Sequence, residues 1–420
     1  VGIAATGIVV MSSSTQIADS APSRLLSPGL LLLVFVLTGW SVFSLRPFVG
    51  RRLGVTDGGP WFVDSYATLA ASDAVRVGLD PFKPNPLDVY HRPHSYSHWW
   101  FYLGDLGLTR RDNFALGGSW VLLFLLTALL LLRIAHWGEA AMAALVLLSP
   151  PVLLAVNRAN NDLVVFFLLA TGLVFLRAAS PWRLAVYSTL VLLATGLKFY
   201  PIIGAAALLL VRPPKTMLLV ALGTLVAGMI LLAWLWTDFR RAVILAPIEV
   251  YTFGAPILFR DLGWTGPAPL LAGVLVLTLA AAVCTWRGWS LGLEDGDLRA
   301  RLAYACGALL LVGCFLAGIS FSYRLIFVIF LVPWLWRKIS TSAARWTVLL
   351  LLAALWLDGF YCLGANIFVG PMPEVRLKHQ QLIWRFFTQP IIWAAMALLA
   401  GSLLGMLRSA LGSLRNSVRP

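Results

Sequence analysis

What this chain has least of is charge: Asp, Glu, Lys and Arg make up 12% of its 420 residues, while 60% are hydrophobic. Soluble domains carry about a quarter charged residues, so this composition, with a mean hydropathy of +0.85, excludes an ordinary water-soluble globular fold. Acid is scarcer than base, 18 carboxylates against 32 Lys and Arg, and the formal charge is +14. No Lys/Arg tract interleaved with aromatics accompanies that excess, which argues against a nucleic-acid partner. Cysteine is nearly absent. Cys284, Cys306, Cys314 and Cys362 sit in or beside apolar runs and form no CxxC pair, so they read as packing residues and not as a disulfide framework. Fixed-period repeats are missing, as are low-complexity tracts beyond a Ser-rich stretch near the N-terminus, and solenoid folds are thereby excluded.

What is present is a series of apolar runs. A helix that crosses a bilayer needs about 20 residues. Candidate runs lie near 25–45, 114–132, 139–156, 162–177, 216–236, 266–286, 302–318, 322–336, 346–362 and 389–407. The stretch 182–211 is too long for one span and short for two, with "GLKFYP" at its centre. Basic residues decide its threading. If 182–211 enters and returns, the short loops at Arg133, Arg177/Arg183, Arg212/Lys215, Arg287/Arg301 and Arg337/Lys338/Arg345 and the tail at Arg408/Arg415/Arg419 share the cytoplasmic side with the N-terminus. The expected fold is an all-α polytopic protein of the cell membrane with about 10 to 12 transmembrane helices. Two broken half-helices would meet at Lys198–Pro201, a break that a membrane tolerates only beside a protein-enclosed cavity. Residues 1–24 and 408–420 read as cytoplasmic tails and 25–407 as one transmembrane domain, whose first span is uncleaved. Loops 46–113, 237–265 and 363–388 then face outside, the first being the largest and most polar.

That first loop contains "WFVDSYATLAASDAVRVGLDPF" (61–82), which gathers Asp64, Asp73 and Asp80. Small residues at Ala67, Ala71, Ala74 and Gly78 predict a helix over 62–78 that packs closely on the membrane body. Asp64 and Asp73 are nine positions apart, about two and a half turns, so they face opposite ways and are not a paired acid and base. Asp73 can meet Arg76 at i+3 as a surface pair. Asp64 opens the helix, where an acid serves at minimum as a cap or dipole partner. Gly78 and Pro81 end it.

Several other groups invite a chemical role beside a structural one. Lys198 between two apolar half-spans marks either a site or a lysine snorkelling to lipid headgroups. Arg324, at an external helix start, sits at the unfavourable end of the dipole, which an anion partner or a lipid headgroup would explain. His91, His94 and His98 are spaced 3 and 4 apart, but Pro93 interrupts the helix that would align them, and no metal site is expected. Trp99, Trp100, Phe101 and Tyr102 fit an interfacial belt or re-entrant segment, with sugar stacking as a second role. His379 shares the last external loop with Arg376, Lys378 and Arg385, where it is either solvated or in contact with substrate.

The order of these features resembles the membrane-embedded C-type (GT-C) glycosyltransferases, and most closely the polyprenyl-phosphate-mannose-dependent mannosyltransferases. The resemblance rests on four features over residues 25–212: a first span, an external Asp-x-Tyr (Asp64, Tyr66), a small-residue helix, and Gly-x-Asp-Pro-aromatic (Gly78, Asp80, Pro81, Phe82). It continues in "NRANNDLVVFFLL" (157–169), similar to that family's Asn-rich turn, and in "GLKFYPII" (196–203), similar to its Lys-x-x-Pro segment. The C-terminal half matches in hydropathy only. The resemblance implies inverting transfer of a sugar, mannose first, from a polyprenyl-phosphate donor to a glycolipid or glycan acceptor at the outer face, without cofactor or metal. It assigns Asp64 as general base, Lys198, Arg324 and Arg158 to the donor phosphate, and Tyr66, Asp80, Asn160, Asn161 and His379 to substrate contacts. A transporter or flippase of a lipid-linked or anionic substrate is the alternative, since it too would use an intramembrane lysine and broken helices.

Overall fold

The structure, a computed structural model, describes residues 27–45, 53, 61–176, 180–211, 215–242, 252–289, 291, 297–368 and 374–417. It is almost wholly helical. The main helices are α1 (Pro28–Leu45), α2 (Val63–Arg76), α3 (Asn113–Leu132), α4 (Trp137–Leu147), α5 (Pro150–Arg158), α6 (Asp162–Phe175) and α7 (Pro181–Lys198). They continue as α8 (Lys215–Trp234), α9 (Ala268–Trp286), α10 (Leu298–Ala317), α11 (Val332–Arg337), α12 (Ser342–Phe368) and α13 (Glu374–Ser417). Two short strands, β1 (Thr252–Phe253) and β2 (Ser320–Phe321), pair antiparallel. Proline at the first turn starts α5 and α7, where its missing N–H leaves no bond unmade.

Among the described residues six helices are long and apolar enough to cross a membrane, or seven if the bent pair α4–α5 is one span. This is a polytopic membrane protein. Each apolar run of the sequence does become helical; beside these six or seven, the 10 to 12 transmembrane helices expected include half-length helices such as Asp162–Phe175 and Tyr200–Leu210. The run 139–156 is divided at Ser149 and Pro150, where α4 bends against α5 by 58°; positive-φ residues at Ala159 and Phe199 stop α5 and α7 at the expected turns.

The 182–211 stretch folds back on itself. The Tyr187 hydroxyl donates to the Gly204 carbonyl at 2.9 Å, pinning the 3-10 segment Tyr200–Ala206 antiparallel along α7. The 3-10 segment Ser322–Phe330 returns along α10 in the same way, with Gly307 admitting Phe327 and Phe330 to its backbone. Helix α10 is the central post, 72% of its span buried; α8 is peripheral at 22% and presents Leu219, Leu222, Val226, Met229 and Ile230 outward along one helical face, as lipid contact requires. Phe124, Phe166, Phe327 and Phe330 join α3, α6 and the 322–330 return in one buried aromatic cluster, with ring centroids 4.7 Å apart for Phe166–Phe330 and 4.8 Å for Phe124–Phe166.

Candidate functional site

The residues that open this site are the helix breaks themselves. Asp162 begins α6, Lys198 ends α7, Tyr200 begins the first return, and Ser320 and Arg324 flank the start of the second. Among the described residues, four of the five non-glycine residues with positive φ, namely Phe62, His91, Ala159 and Phe199, lie within two residues of a charged member of the cluster described below. At Phe199 φ is 61° and ψ is −53°, a rare γ-turn conformation for a residue with a side chain. Strain of this kind persists only where surrounding structure fixes it, and it gathers at functional sites.

Asp64 is not a helix cap. Phe62 is the N-cap, in the left-handed region, and Asp64 is the second helical residue, within the first turn, with its carboxylate turned toward the membrane body. Its Oδ1 accepts from Arg92 Nη1 and Arg158 Nη2, both at 2.9 Å; its Oδ2 accepts from Arg158 Nε at 3.0 Å and from Asn160 Nδ2 at 2.7 Å. Arg158 therefore grips the carboxylate with two parallel bonds, the strongest form of this pair. Burial alone would raise the Asp64 pKa, but the charge and hydrogen bonds of Arg158, then Arg92 and the Asn160 amide, outweigh it and hold the value at about 2.

Asn160 is the hinge of the network. Its amide oxygen accepts from Lys198 Nζ at 3.4 Å, so Asp64 and Lys198 meet across one side chain. Lys198 is not a snorkelling lysine: it is 4% exposed and pairs with Asp162 Oδ1 at 2.8 Å. Tyr200 donates to the same oxygen at 2.6 Å. The ammonium lies 4.6 Å from the Tyr96 ring centroid and 5.7 Å from that of Tyr323, a cation–π setting. The anion that Arg324 needed is Asp162, whose Oδ2 lies 3.9 Å from Arg324 Nε; Arg324 also donates to Ser320 Oγ at 2.6 Å and stacks 5.0 Å from the Tyr200 ring. Among the described residues, four buried polar atoms at this place have no hydrogen-bond partner: Asn161 Oδ1, Asp162 Oδ2, Ser322 Oγ and Arg324 Nε. Each such atom costs about 1–3 kcal/mol, and together they mark a surface suited to a polar ligand.

The remaining expected contacts lie apart. Tyr66 faces Arg110, on the other side of α2. Asp80 is exposed in a turn, accepting from Phe82 N at 3.0 Å, and does not reach the cluster. His379 falls on α13, and its side chain lies outside the described residues. Asp73 takes Arg110 as its main partner at 2.8 Å, closer than Arg76 at 3.5 Å. Of the three histidines, His94 is buried against Phe82 and Phe101, and burial lowers its pKa to about 4; His98 pairs with Asp238 at 2.5 Å. The aromatic run serves as structure. Trp100 packs on Trp120 and donates to the Leu197 carbonyl at 3.1 Å, while Trp99 lies on Gly196, so both brace the end of α7 that presents Lys198.

Sequence reasoning missed Arg92, Asp88, Asp162, Tyr96, Tyr200 and Tyr323. Asp88 holds Arg92 through Nε and Nη2, each at 3.0 Å, and so aims its Nη1 at Asp64. The available signal for Asp162 was its place at the head of an apolar helix, and for Arg92 its place in "HRPHSYSHWW", where histidine spacing drew the reading instead. No family model matches the chain, nor does any curated protein or solved structure.

Proposed function

We propose that the protein is a membrane glycosyltransferase of the GT-C type that moves a sugar, mannose first, from a polyprenyl phosphate to a hydroxyl of a glycolipid or glycan acceptor. The observation that carries this reading is the meeting of Asp64 with three cations, Arg158, Lys198 and Arg324, in one buried network joined through Asn160 and Asp162. Among the described residues four cations, counting Arg92, face three carboxylates, Asp64, Asp88 and Asp162, a balance that suits an anionic phosphate.

In this reading the acceptor oxygen attacks the anomeric carbon and gives its proton to Asp64. The bond from that carbon to the phosphate oxygen breaks, and the polyprenyl phosphate leaves with the electron pair, inverting the sugar centre. Lys198, Arg324 and Arg158 stabilise the growing phosphate charge. A carboxylate held at about 2 is a poor base, however. Donor phosphate that draws Arg158 away from Asp64 would restore its basicity, which makes donor binding the first step.

The test is transfer of labelled sugar from a panel of polyprenyl-phosphate donors to membrane glycolipid extracts by the purified full chain and by Asp64→Asn. Transfer lost in the variant with donor binding kept supports the reading. Lipid-linked sugar bound without turnover by either protein would replace it with the transporter, a reading that the convergence of three helix breaks also favours. Against the transporter stands the position of the cluster, which gathers at the Asn113 end of α3 and not midway along it: Ser65, next to Asp64, donates to Asn113 at 2.6 Å.

A further inference from the structure

Helices α3 and α10 each have 20 residues, a rise of about 30 Å, which is the thickness of a bilayer's hydrocarbon core. Asn113 of α3 stands beside Asp64's neighbour Ser65, and α10 ends just before Ser320 and Arg324. Their other ends, with α4 and α11, enclose a second polar place. It is a cavity of about 400 Å³ lined by Arg133, His136, Glu139, Asp297, Arg299 and Arg337 among apolar side chains.

The two carboxylates among its described lining residues are already engaged. Glu139 Oε2 accepts from the Ala135 amide at 3.0 Å; Asp297 Oδ1 accepts from the Arg299 amide at 3.0 Å, and its Oδ2 meets Arg337 at 3.4 Å. Arg299 is 4% exposed, and its Nη1 lies 3.5 Å from the Leu130 carbonyl. Arg133 has no ion-pair partner among the described residues, and its backbone is left-handed, with φ 48° and ψ 56°, at the C-cap of α3. Glycine is the favoured residue in that conformation because a Cβ crowds the carbonyl oxygen. An arginine is kept here against local preference, at the mouth of a cavity with two further arginines. The N-termini of α4 and α10 open on the same space and add partial positive charge.

We infer that this cavity binds the phosphate headgroup of an anionic membrane lipid, held by Arg133, Arg299 and Arg337. Its volume falls in the range of small-ligand sites, roughly 300–1,000 Å³. Its position, one hydrocarbon thickness from the Asp64 cluster, is the level at which lipid phosphates lie, and Trp137, 60% exposed beside it, is an interfacial aromatic. The site is independent of the glycosyl-transfer reading.

Native mass spectrometry of the full chain, loaded with phosphatidylglycerol or phosphatidylcholine, tests it, with soluble glycerol phosphate as a third arm and thermal unfolding as the folding control. The wild type is expected to retain one phosphatidylglycerol more tightly than phosphatidylcholine. R133G and R337Q should each weaken retention about fivefold, and together roughly twenty-fivefold. R133G should not lower Tm, because glycine suits its backbone, so its loss of lipid cannot be a loss of fold. Equal retention of the two lipids by the wild type, or unchanged phosphatidylglycerol retention in the double variant, would overturn the proposal. Protection by glycerol phosphate equal to that by the lipid would overturn its lipid part and assign the cavity to a soluble phosphate.

Discussion

At the scale of the residue, Asp64 is a buried carboxylate whose ion pairs and hydrogen bonds favour its charged form strongly enough to outweigh its burial. Its folded value of about 2 lies below the ordinary 3.8, so its pairing stabilises the fold above about pH 4, and that contribution is lost as pH falls from 4 through 2. The loss should be on the order of 2 kcal/mol, and acid unfolding of the wild type against Asp64→Asn in detergent would measure it, the variant lacking this slope. The same depression sets the pH dependence of activity. If Asp64 is the base, the acid limb of kcat/KM, which reports the free enzyme, should stay flat to below pH 4, whereas the limb of kcat should lie higher because bound donor has taken Arg158. A kcat/KM that halves near pH 4 to 5 would sink this account of the base. Removing the carboxylate also strands two guanidiniums. Asp64→Asn is expected to lose about 3 kcal/mol of stability, read as a lowered Tm, and Arg158→Gln in the same chain should recover part of it.

At the scale of the element, the site is made where helices stop. Pro150 and Pro181 begin helices, Ala159 and Phe199 end them, and the freed ends carry Arg158, Asn160, Asp162, Lys198 and Tyr200 to one place. Trp99 against Gly196 fixes the last turn of α7, since a Cβ at Gly196 would collide with the indole. Gly196→Ala should therefore destabilise by about 1–3 kcal/mol and disturb Lys198, and Trp99→Phe in the same chain should restore part of the loss by vacating that space. Thermal unfolding of the four proteins as a double-mutant cycle measures the coupling, and additive effects would show that the two do not touch.

At the scale of the whole molecule, two polar ends are separated by helices one bilayer thick. Single cysteines at Asp80→Cys and His136→Cys place those ends across a membrane. The native cysteines among the described residues are buried, so the background is quiet. A membrane-impermeant thiol reagent is expected to label Asp80→Cys in intact cells and His136→Cys only after permeabilisation, as the basic loops at the His136 end predict. Labelling of both from the same side would place the Asp64 cluster and the arginine cavity on one face and break the topology.

Sequence alone determined the class of protein, because hydropathy and run length are local quantities that the bilayer reads directly. It also located the break at Lys198–Pro201, since a lysine three residues before a proline interrupts an apolar helix, and it singled out Asp64, Arg158, Asn160, Lys198 and Arg324. It did not reveal the break at Ser149–Pro150 inside the run 139–156, because composition does not show that two apolar helices meet there at 58°. What each charge is paired with was decided only by tertiary structure. Arg158 meets Asp64 across 94 residues of chain and Lys198 meets Asp162 across 36, separations over which no periodicity carries information. A buried carboxylate with Arg158 and Arg92 on it is a locked anion, and in the proposed reaction it becomes a base once a donor phosphate draws Arg158 away.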